Sequence, residues 1–152
     1  MEKNHSLVTV LPVVIVGKDR TKMTCEVIRN IHKQLSGSCN LYFILVSDRS
    51  HERHLPEIRM FCERELKIAI DAMETPAERY GWGSAMNIGL EEAFKIAPYA
   101  LVLDNDWILN RPIPDLAKLC GILSSGATPR ASTDSLFSPM ERCAVFDARD
   151  AK

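Results

Sequence analysis

Apolar and polar positions along the chain change period several times, and each change marks an element. Pro12-Val-Val-Ile-Val16 is an unbroken apolar run, the pattern of a strand covered on both faces, with Pro12 tolerated only at its start. After the turn Gly17-Lys-Asp-Arg20, residues Val27, Ile28, Ile31 and Leu35 recur at helical spacing, and Ser36-Gly37-Ser38 ends that helix. Tyr42-Phe-Ile-Leu-Val46 reads as a second strand. Residues 52–66 read as one helix with Leu55, Ile58, Cys62 and Leu66 on a single face, and Ile68, Ile70 and Ala72 alternate as a third strand. Ser84 is placed to cap a helix running to about Ile96, and Tyr99 to Leu103 form a fourth strand.

Strand and helix therefore alternate with short connections. The pattern predicts an α/β fold: a mostly parallel, Rossmann-like sheet with helices on both faces, in a single domain. In such sheets ligands bind beyond the carboxyl ends of the strands. That rule gathers four distant segments at one rim: Gly17 to Arg20, Ser47 to Ser50, Glu74 to Gly83 and Asp104 to Asp106. Past Asp106, Pro112 and Pro114 introduce a short helix from Asp115 to about Leu123. Ser124 to Pro139 has loop composition, and Cys143 to Phe146 suits one more short strand. The expected division is a nucleotide-binding unit over 1–124 and a loop-rich segment over 125–152, read as a shortened acceptor region.

Composition narrows the function. The 152 residues suffice for one ordinary domain, and a net charge of −1 supplies no bulk attraction to nucleic acid or anionic lipid. The longest apolar run, Leu7 to Val16, falls far short of the roughly 20 residues that span a bilayer, so no integral membrane segment is expected. Met-Glu-Lys-Asn-His does not resemble a signal peptide. The cysteines number five, an odd count, and contain no Cys-x-x-Cys, which argues against a disulfide framework or zinc cluster and for the cytoplasm. His51 and His54 read as a surface pair. No P-loop, dinucleotide-binding glycine motif or Gly-x-Ser-x-Gly elbow is present.

The candidate chemistry lies in Leu101-Val-Leu-Asp-Asn-Asp106, where a core-type strand ends on two carboxylates one residue apart. Carboxylate oxygens are hard ligands suited to Mg²⁺ or Mn²⁺, and Mg²⁺ commonly takes one or two of them while substrate phosphates complete its shell. One aspartate on the metal suffices, and the second, two residues earlier on the same rim, is placed to accept hydrogen bonds from a ribose. The plain alternative is a polar turn, since Asp-x-Asp alone is short and common.

Four blocks in order resemble the nucleotide-binding half of the GT-A glycosyltransferases, especially the large family 2 type. Val13-Val-Ile-Val-Gly-Lys-Asp-Arg20 is similar to that family's first strand and its Pro-Thr-Tyr-Asn-Arg. Tyr42-Phe-Ile-Leu-Val-Ser-Asp-Arg-Ser50 is similar to the strand ending in Asp-Asp-Gly-Ser. Glu78-Arg-Tyr-Gly-Trp-Gly-Ser-Ala-Met-Asn-Ile-Gly-Leu90 resembles the Gly-rich loop and the Ala-x-Asn-x-Gly-Leu helix, and Tyr99 to Asp106 the strand carrying Asp-x-Asp.

The resemblance implies a metal-dependent enzyme that moves a sugar from a UDP- or GDP-sugar to an acceptor (glycan, lipid or protein). It implies a donor site made of Gly17, Lys18, Asp48, Arg79, Asn87, Asp104 and Asn105, with Mn²⁺ or Mg²⁺ on Asp106 and Asp104. In it Asp48 accepts from the nucleobase and Arg79 pairs with the diphosphate; the plain alternatives are a turn aspartate and a solvated arginine beside Glu78. Trp82 either flanks sugar or base or anchors its loop. Gly89 lies with Ala85 and Ala93 on a small-residue face expected to pack closely on the sheet.

The chain departs from the family pattern in three places. Val16 stands where the family has Pro, Lys18 where it has the Tyr that stacks on the base, and Ser47-Asp48 where it has two acids. No residue matches an acceptor base. Two other readings stay open: a catalytically incomplete donor-binding module that needs a partner chain, with homo-oligomerisation left open, and a nucleotidyltransferase.

Overall fold

A computed structural model describes residues 9–125 and two further strands at 130–132 and 144–147. The elements are β1 (Val10–Gly17), α1 (Thr21–Leu35), β2 (Asn40–Ser47), α2 (His54–Phe61), β3 (Asp71–Glu74), α3 (Trp82–Ala93), β4 (Tyr99–Asp104), α4 (Leu116–Ser125), β5 (Arg130–Ser132) and β6 (Ala144–Asp147). They build one six-stranded sheet in the order β3-β2-β1-β4-β6-β5. Strands β1 to β4 are parallel, and β6 and β5 close the far side antiparallel. The mostly parallel α/β sheet expected from the alternation is therefore present.

Side chains that alternate along the central strands feed two cores. Leu11, Val13 and Ile15 of β1, with Phe43, Leu45, Leu101 and Leu103, pack under α1, α2 and α4. Val14 and Val16, with Ile44, Val46, Ala100 and Val102, pack under α3. Period-two alternation thus splits each buried strand between two layers. The α3 layer is thin because Ala85, Gly89 and Ala93 all face the sheet and are buried. A Cβ built on Gly89 would lie only 2.3 Å from Cγ1 of Val14, so the small-residue face does bring this helix close, as its spacing predicts.

Several local boundaries differ from the sequence expectation. The helix read over 52–66 stops being α-helical at Cys62 and widens into a π-helical turn, Cys62–Leu66, ended by Lys67 in a left-handed conformation (φ 56°). Only then does the chain straighten, so the β3 ladder begins at Asp71 opposite Ile44, while Ile68 and Ile70 pack against the core ahead of it. Helix α3 starts at Trp82 with Gly81 as its N-cap, at φ 98° and ψ 161°, which leaves Ser84 inside the first turn rather than capping it. The expected last strand is β6, shifted by one residue, and β5 lies within the stretch whose composition reads as loop. Among the described residues no helix is long and apolar enough to cross a membrane.

Strand β1 sits between β2 and β4, which places the reversal of strand order at its carboxyl end. The chain leaving β1 enters α1 on one face, and the chain leaving β4 runs to that same face, where Leu109, Ile113 and Leu116 join the α1 core, while α3 covers the other face. A crevice lies between the β1 and β4 loops at the rim above the reversal, the usual ligand position in open parallel sheets.

Candidate functional site

The crevice at that reversal is a cleft of about 510 Å³, lined by Gly17 to Arg20, Trp82 and Asp104 to Asp106. Its floor is a locked turn. Asn105 is 5% exposed, and its backbone N–H donates to the Val16 carbonyl at 3.0 Å. Its side-chain Nδ2 donates to the Asp19 carbonyl (3.0 Å) and to Thr24 Oγ1 (3.3 Å). Gly17 is required beneath it, since a Cβ there would lie 2.3 Å from Cγ and Nδ2 of Asn105. The middle residue of the acidic turn thus faces inward, and its two neighbours are turned to the cleft.

Asp19 and Arg20 both adopt left-handed backbone (φ 52° and 59°), an uncommon conformation for side chains of their size. The surrounding bonds explain how it is held. Asp19 N–H donates to Ser50 Oγ at 2.7 Å, and Asp19 Oδ1 accepts from His51 N–H at 3.0 Å. The Arg20 carbonyl accepts from both N and Oγ1 of Thr24. Loops after β1 and β2 are therefore stitched together.

His54 contributes to the same seam. It is 1% exposed with Nδ1 at 2.8 Å from Thr21 Oγ1, so the pair read as surface histidines is half interior. Burial, and then the neighbouring His51, hold the His54 pKa below the ordinary imidazole value.

Each carboxylate of the acidic turn has one partner. Asp104 accepts from the Trp82 indole N–H, and Asp106 Oδ2 accepts from Arg20 Nη1 at 3.0 Å. Partial burial raises the Asp104 pKa and the charge of Asp106 adds to it, against the indole bond and Arg20. The site is short of positive charge: Lys18 and Arg20 face three carboxylates, Asp19, Asp104 and Asp106.

A divalent cation fits this arrangement. Two hard carboxylates leave one turn into an open cleft, and a guanidinium already stands against one of them as a cation would. Among the described residues no group of three or more His, Cys, Asp or Glu side chains is arranged as a ready metal cage.

The remaining sequence-predicted residues fall around this centre unevenly. Asp48 stands beside the cleft: its N–H donates to the Gly17 carbonyl at 2.8 Å, and its Oδ1 accepts from Gly81 N–H (2.8 Å) and Thr75 Oγ1 (3.2 Å). Arg79 lies outside the cleft and pairs with Glu91 at 3.2 Å. Asn87 is exposed on α3 and lines a separate hollow of about 180 Å³ with Leu90, Glu91 and Phe94.

Residues 80 to 82 form a strap across the rim. Tyr80 packs under the Arg49 guanidinium at 4.9 Å, Gly81 binds Asp48, and Trp82 binds Asp104. Arg20 and Asp19 carried no role in the sequence reading. The signal for both was present only as a polar loop after a strand, which says nothing of which residue meets which.

A second cleft of about 510 Å³ lies at the β3 edge, beside Arg59, Glu63 and Lys67, and has a single acid. Among the described residues thiol chemistry has no support either: burial pushes Cys25, Cys39 and Cys120 up to about 11 and Cys62 to about 12.

No protein-family model matches the sequence, and no curated protein matches it. Solved structures do. The mannosyltransferase PcManGT from Pyrobaculum calidifontis, solved with GDP-Man and Mn²⁺, superposes with a TM-score of 0.60 at 19% identity, over 90% of this chain and 44% of its own. The glycosyltransferase GlyE of Streptococcus pneumoniae TIGR4 gives 0.59 at 16% identity, over 93% of this chain and 35% of its own. S. aureus TarS 1-349 in complex with UDP-GlcNAc gives 0.56 at 19% identity, over 79% and 33%. The fold is that of GT-A-type glycosyltransferases, and the chain spans less than half the length of each of these three proteins.

Proposed function

We propose that this chain binds a nucleoside diphosphate sugar together with Mn²⁺ or Mg²⁺ and transfers the sugar to an acceptor hydroxyl. The observation that carries the reading is the acidic turn Asp104 to Asp106, presented by a locked loop into the cleft where the strand order reverses. The neighbours solved with GDP-Man and Mn²⁺ or with UDP-GlcNAc support the class of donor.

The residues divide the work as follows. Asp106 and Asp104 hold the cation, which when bound neutralises the diphosphate that leaves. Lys18 reaches phosphate from the β1 loop. Gly81 N–H already engages Asp48 Oδ1, so the other carboxylate oxygen of Asp48 is the one directed to the nucleobase. Trp82 stands over Asp104 and shields the anomeric end of the donor. The bond from the anomeric carbon to the diphosphate oxygen breaks, the bond to the acceptor oxygen forms, and the hydroxyl proton passes to a base. We place the reaction in the cytoplasm, a reading supported by the free thiols of Cys25, Cys39, Cys62 and Cys120.

A second reading is donor binding without transfer, with an acceptor half supplied by another chain. One observation favours it. Of the three carboxylates lining the cleft, Asp104 and Asp106 are assigned to the cation and Asp19 ties the β1 loop to His51 N–H, so none of them is set aside as an acceptor base.

Calorimetric titration with UDP and GDP, with and without Mn²⁺, on the wild type and Asp106→Asn tests the proposal. Metal-dependent binding that disappears in the variant is the expected result. Absence of binding under every condition refutes the proposal and reduces the acidic turn to a polar strand end. Binding without donor hydrolysis or transfer supports the second reading.

A further inference from the structure

Arg20 and Asp106 lie 86 residues apart in the chain and meet through a single nitrogen and a single oxygen at 3.0 Å. This is not the two-pronged guanidinium–carboxylate fork, which is the strong form of the pair. The side chains are 60% and 33% exposed. An ion pair so placed contributes little to stability and exchanges readily. The backbone of Arg20, in contrast, is fixed: it is the N-cap of α1, in left-handed conformation, with its carbonyl bonded twice to Thr24. A rigid base carries a long, solvated cation whose tip rests on one carboxylate.

Electrostatics make that tip replaceable. The cleft has one carboxylate more than it has cations, and among the described residues Asp104 sits beside Asp106 with no cation in hydrogen-bond contact. A divalent ion interacts with both carboxylates at twice the charge of a guanidinium. Once it takes Asp106, the guanidinium is left with five donors and no acceptor, pointing into the space that a diphosphate would fill.

We propose that Arg20 is an exchangeable counter-ion of the acidic turn: it rests on Asp106 in the empty cleft and passes to the diphosphate of the donor when the metal takes Asp106. The inference rests on the proposed donor and metal site and adds an order to it. Arg20 opposes metal binding in the absence of nucleotide and favours nucleotide binding in its presence. The two ligands are thereby coupled, and a free metal ion alone does not hold the site strongly.

The test uses the full chain and two binding measurements that need no turnover. Mn²⁺ affinity without nucleotide is read from the electron paramagnetic resonance signal of the free ion. UDP and GDP affinity in saturating Mn²⁺ is read by calorimetry. Arg20→Asn is the main variant because asparagine accepts left-handed backbone, with Arg20→Gln as a second and circular dichroism as the check on folding.

Removing an exposed ion pair should tighten Mn²⁺ alone by about two- to fivefold. Losing a charge-assisted phosphate contact should weaken nucleotide by about tenfold or more. Opposite signs in the two arms support the proposal. Loss in both arms indicates a merely structural arginine and overturns it, as does Mn²⁺ affinity unchanged in both Arg20 variants while Asp106→Asn abolishes it. If the wild type binds neither Mn²⁺ nor nucleotide, the metal and donor reading itself fails.

Discussion

Gly89→Ala measures how tightly α3 is pressed on the sheet, and through α3 how Trp82 is held over Asp104. The new Cβ would lie 2.3 Å from Cγ1 of Val14 and 3.3 Å from Cγ2 of Val46. Both valines are 0% exposed, and Val14 is pinned in the ladder between Ile44 and Val102. A β-branched side chain in the middle of a sheet has little freedom to rotate away. Overpacking of this kind costs about 1–3 kcal/mol. Alanine recovers about 1 kcal/mol of helix propensity over glycine. Because the contact would be as short as 2.3 Å, the upper end of the overpacking cost applies, and the expected net loss is about 2 kcal/mol.

Gly121→Ala is the matched control, because Gly121 lies within α4, is exposed, and has nothing within 4 Å of its Cβ position. There the propensity gain stands alone, up to about 1 kcal/mol. Urea unfolding followed by tryptophan fluorescence and circular dichroism reads both. With a slope of about 1–2 kcal/mol per molar, the midpoint of Gly89→Ala should fall by about 1 M and that of Gly121→Ala should rise. Val14→Ala should cost less in the Gly89→Ala background than in the wild type. A Gly89→Ala midpoint at or above the wild type would refute the close approach of α3.

Asp104→Asn should stabilise the protein by about 0.5 kcal/mol, the size of a partly exposed like-charge pair, while abolishing Mn²⁺ binding; a thermal melt and a Mn²⁺ titration check both halves. His54, whose pKa is lowered in the folded state, supplies stability that is complete above the unfolded imidazole value near 6.5 and is lost as pH falls below it. Urea midpoints should therefore drop between pH 7.5 and 5.5 in the wild type and drop less in His54→Asn; equal drops would contradict the assignment. Asn105→Ala removes the two bonds to Asp19 and Thr24 and should cost about 2 kcal/mol, with faster amide exchange in the β1 loop as its local signature.

The residues of the cleft differ in how visible they were in the sequence. Asp104 and Asp106 were legible because two acids interrupt an apolar run at a predicted strand end, and the topology rule supplied the rim. Arg79 and Asn87 fall outside the cleft, on a loop and on an exposed helix face, since a loop arginine takes whatever carboxylate it can reach and here that is Glu91. The π-helical turn after α2 was invisible because its apolar spacing, 55, 58, 62 and 66, is the same as that of a continuous helix.

By itself, the sequence determined what depends on neighbours within a turn or a strand: the period of two in the buried strands, the period of 3.6 in α1, the small face of α3 and the acids at the end of β4. These are local, since backbone geometry decides side-chain direction over a few residues. Only the tertiary structure decided the pairings on which the site depends: Asn105 locked under Gly17 by bonds to Asp19 and Thr24, 86 and 81 residues away, Arg20 on Asp106, and Trp82 on Asp104. Those contacts arise because parallel crossovers bring the ends of β1 and β4 side by side. Nothing within either loop specifies its partner until the sheet has formed.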